Sequence, residues 1–397
     1  MPTRPAEYRY PCAQCGASLR FQPGQQRLVC DYCGHAQDIG AGASRAPGRQ
    51  DDGQDDTGHA LQWDAGHKAP ELVEIPLEKG LRLDAGSDLA ETVRETACPN
   101  CGARVESSSA SHSTACPFCA TPVVTDTGAT RRIKPQGVLP FVLTEPQARE
   151  AMKNWLGGLW FAPNGLAAYA RKDRRMNGIY SPFWTFDANT HSVYSGQRGD
   201  AYYETVYVTQ TVNGQTRRVP QQVRRIRWRR VSGQVARDFN DVLILASTAL
   251  PRQFTDALTP WDLSALRPYD PAYLPGFGAE GYTVPLAAGH DSARAEMAQV
   301  IYGDARRDIG GDEQRVEQVS TTYSAETFKH ILLPIWTAAY RYNGKSYRFV
   351  VNGQSGQVMG ERPYSVWKIA AAIIAALLVA AVVFFVMQDG GYVVRGY

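Results

Sequence analysis

No cysteine occurs after residue 119 of this 397-residue chain. All eight lie before that point, in the pairs Cys12/Cys15, Cys30/Cys33, Cys98/Cys101 and Cys116/Cys119. That clustering favours metal ligation over a disulfide framework and leaves the rest of the chain without a thiol nucleophile. The N-terminal "MPTRPAEYRYPC" has charges but no apolar run behind them. We therefore expect no secretory signal peptide, and a cysteine-bearing end that stays in a reducing cytoplasm. HExxH and GxSxG are also missing, and the seven histidines are scattered. His330 in "TFKHILLPIW" reads as a satisfied, half-buried side chain rather than a base. "YNGKSY" ends like a phosphate-binding loop, but Ala339 stands where a glycine is needed five residues before Gly344. "GGDEQRV" is similar to a helicase acid box, yet Ile309-Gly310-Gly311 is no buried strand to carry Asp312 and Glu313. With neither a phosphate cradle nor a nucleophile, the expectation is a protein that is not an enzyme.

The composition, 44% hydrophobic and 20% charged, is that of a folded globular protein of two to three domains. Its formal charge of +3 is smaller still once metal is counted. Four thiolates around a divalent ion carry −2, so two such sites bring the chain to about −1, with no global field to steer it to nucleic acid.

The cysteine spacing is C-x2-C, 14 residues, C-x2-C, in both copies. Each C-x2-C turns two sulfurs toward one ion, and the intervening residues are the length of a hairpin that brings the turns together. This predicts two zinc ribbons, over 10–37 and 97–124, each holding one structural zinc. Cys12, Cys15, Cys30 and Cys33 serve the first, and Cys98, Cys101, Cys116 and Cys119 the second. A rubredoxin-like iron site or a redox dithiol are the alternatives. With four protein ligands no position stays open for catalysis. Arg20 and Arg27 against Asp31, and Arg104 against Glu106, are a thin cation supply for phosphate, so the ribbons read as protein-docking modules rather than nucleic-acid binders.

Between the ribbons, residues 41–73 are polar and acidic without apolar periodicity and read as a flexible linker. Residues 74–96 read as a short amphipathic connector. From 133 to 365 the pattern is that of a mostly antiparallel, β-rich α+β body of one or two units. In "TEPQAREAMKNWLGG", Thr144 is the N-cap, Gln147 completes a capping box and Gly157 is the stop, with Ala148, Met152, Trp155 and Leu156 on one face. "GIYSPFWTFDANTHSVYSG" and "YYETVYVTQTVNGQTRRVPQQVRRIRWRRVSGQV" are strand-like, the latter with a hairpin turn at Asn213-Gly214. "DSARAEMAQVIYGDARRDI" is helical, and a β-meander follows with turns at Asn343-Gly344 and Asn352-Gly353.

Eight arginines fall between 217 and 237 with no acid up to Arg237. On a strand, Arg225, Arg227 and Arg229 share one face and Ile226 and Trp228 the other. Such a stripe suits an anionic ligand: lipid headgroups, an acidic partner or nucleic-acid phosphate. It is equally a solvated face paired with carboxylates such as Glu204.

Ile369–Met387 is an unbroken run of 19 apolar residues, about 28 Å as a helix against a bilayer core of ~30 Å. Trp367 and Lys368 at one end and Gln388 and Asp389 at the other suit the two interfaces. A single transmembrane helix over 366–388 is expected, as a tail anchor with the bulk of the chain cytoplasmic. Ala372, Ala376 and Ala380 form a small-xxx-small stripe that would suit helix packing in a homo-oligomer, though such alanines are more often plain filler of an apolar span.

The paired ribbons, "GIYSPFWTFDA", "RWRRVSGQVARDFNDVLI", "IGGDEQRV" and "FKHILLPIWTAAYRYNGKSYRFVVNGQSGQVMGERPYS" before the anchor together resemble a bacterial family of transcription-factor-IIB-type zinc-ribbon membrane proteins. Relatives often carry the name primosomal protein N′ (replication factor Y), a superfamily II helicase, whose motor motifs this chain lacks. The resemblance implies a membrane adaptor that accompanies a flotillin-like protein in membrane-stress systems. The runner-up is a membrane-attached nucleic-acid-binding protein without helicase activity.

Overall fold

The computed structural model describes residues 10–39, 72–82, 90–98, 101–106, 113–116, 118, 122–124, 129–159, 176–212, 215–342, 345–361 and 364–389. The linker, apart from its last residues, and Cys119 lie outside the described residues. The first cysteine segment is a small antiparallel sheet of β1 (Leu19–Gln22), β2 (Arg27–Cys30) and β3 (Ala36–Asp38). The connector supplies β4 (Ile75–Pro76), α1 (Leu77–Leu81) and β5 (Ala90–Ala97). The second cysteine segment contributes β6 (Arg104–Glu106), β7 (Ser113–Ala115) and β8 (Pro122–Val124).

The body continues with β9 (Ala129–Ile133), β10 (Gly137–Val138) and α2 (Glu145–Gly157). At the start of α2 the Thr144 N–H donates to Gln147 Oε1 at 2.8 Å, and Ala148, Met152 and Leu156 are buried. The reciprocal cap and the 3.6-residue stripe are what the sequence pattern specifies. Two very long strands follow, β11 (Asn177–Val212) and β12 (Gln215–Leu245). Then come α3 (Arg252–Asp256), β13 (Arg267–Pro268), β14 (Gly278–Gly281) and α4 (Leu286–Ile309). A third long strand, β15 (Glu313–Tyr342), leads into β16 (Lys345–Asn352), β17 (Val358–Gly360) and α5 (Val366–Asp389).

A 12-stranded sheet carries the body, with parallel pairing at β10–β15 and β11–β14 and antiparallel pairing elsewhere among the described residues. Its three long strands form an arm. β11 lies between β12, from Phe183↔Leu245 to Val212↔Gln215, and β15, from Asn177↔Thr337 to Gly199↔Glu313. At ~3.3 Å per residue, β11 alone follows a path of about 120 Å. α4 covers one face of the lower arm, burying Ala293, Met297, Ile301, Ala305 and Ile309 at four-residue spacing against a face that includes Ala188 and Tyr194. Gly233 makes room for Tyr194 there: a Cβ would stand 2.3 Å from the Tyr194 hydroxyl, which donates to Asp308 of α4 at 2.5 Å. Above Gly199 neither β15 nor α4 continues, and β11 and β12 go on as a two-stranded hairpin for about 40 Å.

Both cysteine segments are built into the body. Phe21 N–H donates to the Pro275 carbonyl at 2.9 Å and Gly24 N–H to that of Phe141 at 3.0 Å. The Phe21 ring meets Tyr273 and Phe277 at 5.4 and 6.1 Å, and Cys12, Leu19, Leu28 and Cys30 share a core with Phe141, Tyr180 and Trp336. In the second segment β6 pairs with β14, and Cys98, Ala103, Cys116 and Phe118 pack with Leu139, Ile179, Phe183 and Leu250. The physical reason is size: a ribbon has too little apolar surface for a core of its own. Burying one phenylalanine contributes about 1.5–3 kcal/mol.

Candidate metal centres and the basic arm

Three of the four C-x2-C turns share one local geometry. In each, the N–H of the glycine after the second cysteine donates to the first cysteine's carbonyl: Gly16 to Cys12 at 2.8 Å, Gly34 to Cys30 at 2.9 Å and Gly102 to Cys98 at 2.9 Å. These glycines have φ of 73°, 76° and 74°, a conformation costly for any residue with a Cβ. The first cysteine then donates its own N–H back, Cys12 to Ala17 at 2.6 Å, Cys30 to His35 at 2.8 Å and Cys98 to Ala103 at 2.8 Å. The tight turn leaves backbone N–H groups facing the sulfurs. Burial opposes ionisation of Cys12, but the N–H groups of Cys15 and Gln14 outweigh it and hold the thiol below its ordinary value. The Cys33 N–H brings Cys30 down to about 7.

Cys12, Cys15, Cys30 and Cys33 have their sulfurs within 4.8 Å of one another, with Cys12–Cys33 and Cys15–Cys30 both at 3.5 Å. Cys98, Cys101 and Cys116 form a second cluster on the same criterion, with Cys101–Cys116 at 3.6 Å. A tetrahedral ion with ~2.3 Å bonds to sulfur sets its ligands about 3.8 Å apart, and disulfides need about 2 Å. The described sulfurs fit the former, so both clusters are compatible with zinc. In the first ribbon Arg20 is paired with Asp31 at 3.3 Å, and Tyr32 at the turn is 86% exposed.

Beside the second cluster lies a buried acid. Glu280, opposite Val105 of β6, accepts hydrogen bonds from Ser181 at 3.3 Å and from Ser247. Burial raises its pKa to about 8, against the pull of the two serine hydroxyls and Arg132, so the carboxyl is largely protonated at neutral pH. His330 is fully buried rather than half-buried, because β15 is an inner strand at that point. Its Nδ1 is 2.9 Å from the Ile133 carbonyl, its ring packs on Trp184 at 4.8 Å, and burial lowers its pKa to about 4. Lys329, 7% exposed, reaches Asp241 at 2.9 Å, Glu74 at 3.3 Å and Asp187 at 3.4 Å, locking the connector to three arm strands beside a bulge. No pattern of neighbouring residues announces the Glu280 and Lys329 clusters, since their partners lie up to 255 residues apart.

The arginine stripe sits where the third strand ends. Arg225, Arg227 and Arg229 are exposed and on one face, opposite Tyr202, Asp200 and Arg198. Arg225 pairs with Glu204 at 3.2 Å and Arg229 with Asp200 at 3.4 Å, while Arg227 lies over the Tyr202 ring at 5.1 Å. Trp228, on the other face, is stacked by Arg315 at 3.9 Å. Asp312 accepts from the Ala201 N–H at 2.8 Å and Glu313 pairs with Arg224 at 3.4 Å, so both acids tie the top of β15 to the hairpin. From Asp200 to Arg230 there are seven arginines and two acids.

At the opposite end of the sheet the chain leaves for the apolar helix. β17 pairs with β16, and β16 with Trp336–Ala338 of β15; Glu361 then pairs with Arg348 at 3.2 Å, five residues before Val366. Trp367–Phe385 is a helix long and apolar enough to cross a membrane and is not buried against the body. From Ala338 to Glu313 the strand path is about 80 Å, so the stripe lies far along the sheet from the point where the anchor begins.

No family model matches the chain, and no solved structure matches it. A similar protein is the Bacillus subtilis (strain 168) protein YdjG, described as uncharacterized, which is 26% identical over 245 residues, 60% of this chain and 67% of YdjG.

Proposed function

We propose that the protein is a membrane-tethered, non-catalytic adaptor. Each of its two four-cysteine sites holds a structural zinc, its C-terminal helix anchors the chain with the bulk in the cytoplasm, and its recruiting surface is the arm. The observation that carries this reading is the opposition of the two ends: a bare basic hairpin at one, an apolar helix at the other. The ribbons act as clamps on the base rather than as the reaching part, because their hydrophobic residues are already spent on the body. A flotillin-like protein, which the family resemblance implies, is the first partner to look for.

The test is an arm shortened by removing Ala201–Ile226 and joining Asp200 to Arg227 through Asn-Gly, which keeps the register of everything below. Membrane association and zinc content should persist, while proteins that co-purify with the full chain are lost from quantitative mass spectrometry. Retention of those proteins by the shortened arm would remove the recruiting role. A second reading draws on one observation: a basic two-stranded ribbon has dimensions that the major groove of DNA admits. It predicts nuclease-sensitive co-purification and a steep fall of binding with salt. Nuclease-resistant recovery of the partner would leave the adaptor reading standing instead.

A further inference from the structure

The lower arm has two open backbone edges. Among the described residues β12 pairs only with β11, and β15 from Glu313 to Glu326 also pairs only with β11. From Thr327 onward the outer edge of β15 is covered by β4, β10 and β16. An open edge presents a row of N–H and C=O groups that another strand can complete. The two edges stand at matching heights, since Trp228 and Glu313 both face Gly199, and Ala236 and Thr322 both face His191.

Direction narrows the occupant. β12 and β15 are each antiparallel to β11, and are therefore parallel to one another. Placing β12 of one copy on β15 of the next is a parallel pairing that points every arm the same way and releases every anchor at the same end. Pairing β12 with β12 about a two-fold axis would be antiparallel, would send the anchors to opposite ends and would face arginines with arginines. Glu361 is fixed to Arg348 just before the anchor, so a shared membrane favours the parallel arrangement.

Charge points the same way. On the arm face away from α4, Arg230 lies opposite Gln197, and Gln197 Nε2 donates to Glu317 Oε1 at 2.5 Å. Arg230 has no carboxylate partner among the described residues. Arg315, which also stands opposite Gln197 on that face, is drawn over Trp228 at 3.9 Å. The cation of one edge and the acid of the other therefore become neighbours when a second copy's β12 is laid beside β15 with an offset of about two residues, past Arg315 to Glu317. We propose that copies of this chain associate head to tail through their arms, β12 against β15, with Arg230 of each copy beside Glu317 of its neighbour. Such heterologous contacts form a ring where the rotation closes and an open ribbon where it does not.

The experiment is a charge exchange in the full chain, purified in mild detergent, with assembly mass read by multi-angle light scattering. The wild type should exceed one chain per particle. Arg230→Glu and Glu317→Arg should each weaken association at least tenfold, and the double variant should restore it. Zinc content and membrane insertion check that each variant is folded. Should a reversal misfold, Arg230→Gln and Glu317→Gln should weaken association in the same direction. A monomeric wild type, an assembly indifferent to these changes, or a double variant as dissociated as its parents would each overturn the pairing. The shortened arm used to test recruitment keeps both edges, so it should assemble normally whatever happens to the partner.

Discussion

At the base of the molecule Phe21, Phe141, Tyr180, Tyr273 and Trp336 close around the first cysteine cluster, and Lys329, Glu280 and His330 are sealed among partners from distant segments. Above Gly199 no layer among the described residues covers either face of the arm, and no described side chain in Asp200–Gln210 or Arg217–Arg230 is buried. The two regions spend their residues differently. Base residues are occupied by the fold, so changes there act through stability. Arm-tip residues hold little of the fold together, and changes there should act through whatever the tip meets. Such a division suits a protein whose scaffold must stay intact while a projecting surface is free for recognition.

The largest effect that separates the regions is expected at the cysteines. Zinc ligation supplies roughly 10–16 kcal/mol of apparent folding free energy in isolated finger peptides. Here the second cluster shares a core with Leu139, Ile179 and Phe183, so its loss cannot remain local. Cys98→Ser with Cys101→Ser, or chelation, should destabilise the body by about 5 kcal/mol or more. That corresponds to a Tm lowered by roughly 10–20 °C for a domain of this size. Calorimetry on the detergent-solubilised chain decides it. An unchanged main transition, with only a small separate one lost, would mean that the ribbon is an independent module and that the docking contributes little.

A second, smaller effect comes from the buried acid at the base. Glu280 has a folded pKa raised to about 8 from an ordinary value of 4.5. The unfolded chain therefore releases this proton first, and the stability tied to the neutral carboxyl is fully present below pH 4.5 and lost progressively as pH rises to about 8. Glu280→Gln supplies a neutral side chain of the same shape. It should melt within a degree or two of wild type at pH 5 and distinctly higher at pH 8.5, by an amount on the order of a few kcal/mol. His330 works in the opposite sense, its depressed pKa withdrawing stability as pH falls from 6.5 toward about 4. Equal shifts of the Glu280→Gln variant at both pH values would show that the carboxyl is not neutral in the fold.

The contrast between the regions also explains what could be read from the sequence. The first three cysteine turns, the Thr144–Gln147 cap and the 19-residue apolar run are local patterns, each complete within a few turns of chain, and each stands in the structure where its spacing puts it; the fourth cysteine turn ends at Cys119, outside the described residues. The arm was legible only in pieces. "SGQRGD" between Ser195 and Asp200 has the composition of a turn and divides the strand-like run in two, yet β11 passes straight through it. Gly196 sits at a bulge where a Cβ would strike the Arg315 carbonyl, and Gly199 lies beneath Trp228. These glycines answer to close approach from neighbouring strands, not to chain reversal, and such neighbours are more than 25 residues away. The docking of the ribbons was hidden for the same reason, since nothing near Phe21 announces Tyr273 and Phe277 as its partners.

The arginines of the arm tip should contribute least to stability. Arg224, Arg225 and Arg229 each make one ion pair at 3.2–3.4 Å, between side chains that are 44–61% exposed. Pairs so open to water are worth about 0.2–1 kcal/mol, and often nothing measurable. Arg225→Ala should therefore move the Tm by no more than a degree or two, even when combined with Arg227→Ala, where the loss is a stacking contact on Tyr202. The same double substitution should reduce recovery of the partner, because it removes two of seven positive charges from a hairpin with two acids. A Tm drop of more than about 5 °C would place these arginines with the base residues, as part of what holds the arm together. An unchanged Tm with partner binding also unchanged would show that the stripe is edge protection of the kind that keeps exposed strands from pairing indiscriminately. Only stability retained with recruitment lost separates an arm made to be read from one made merely to stand.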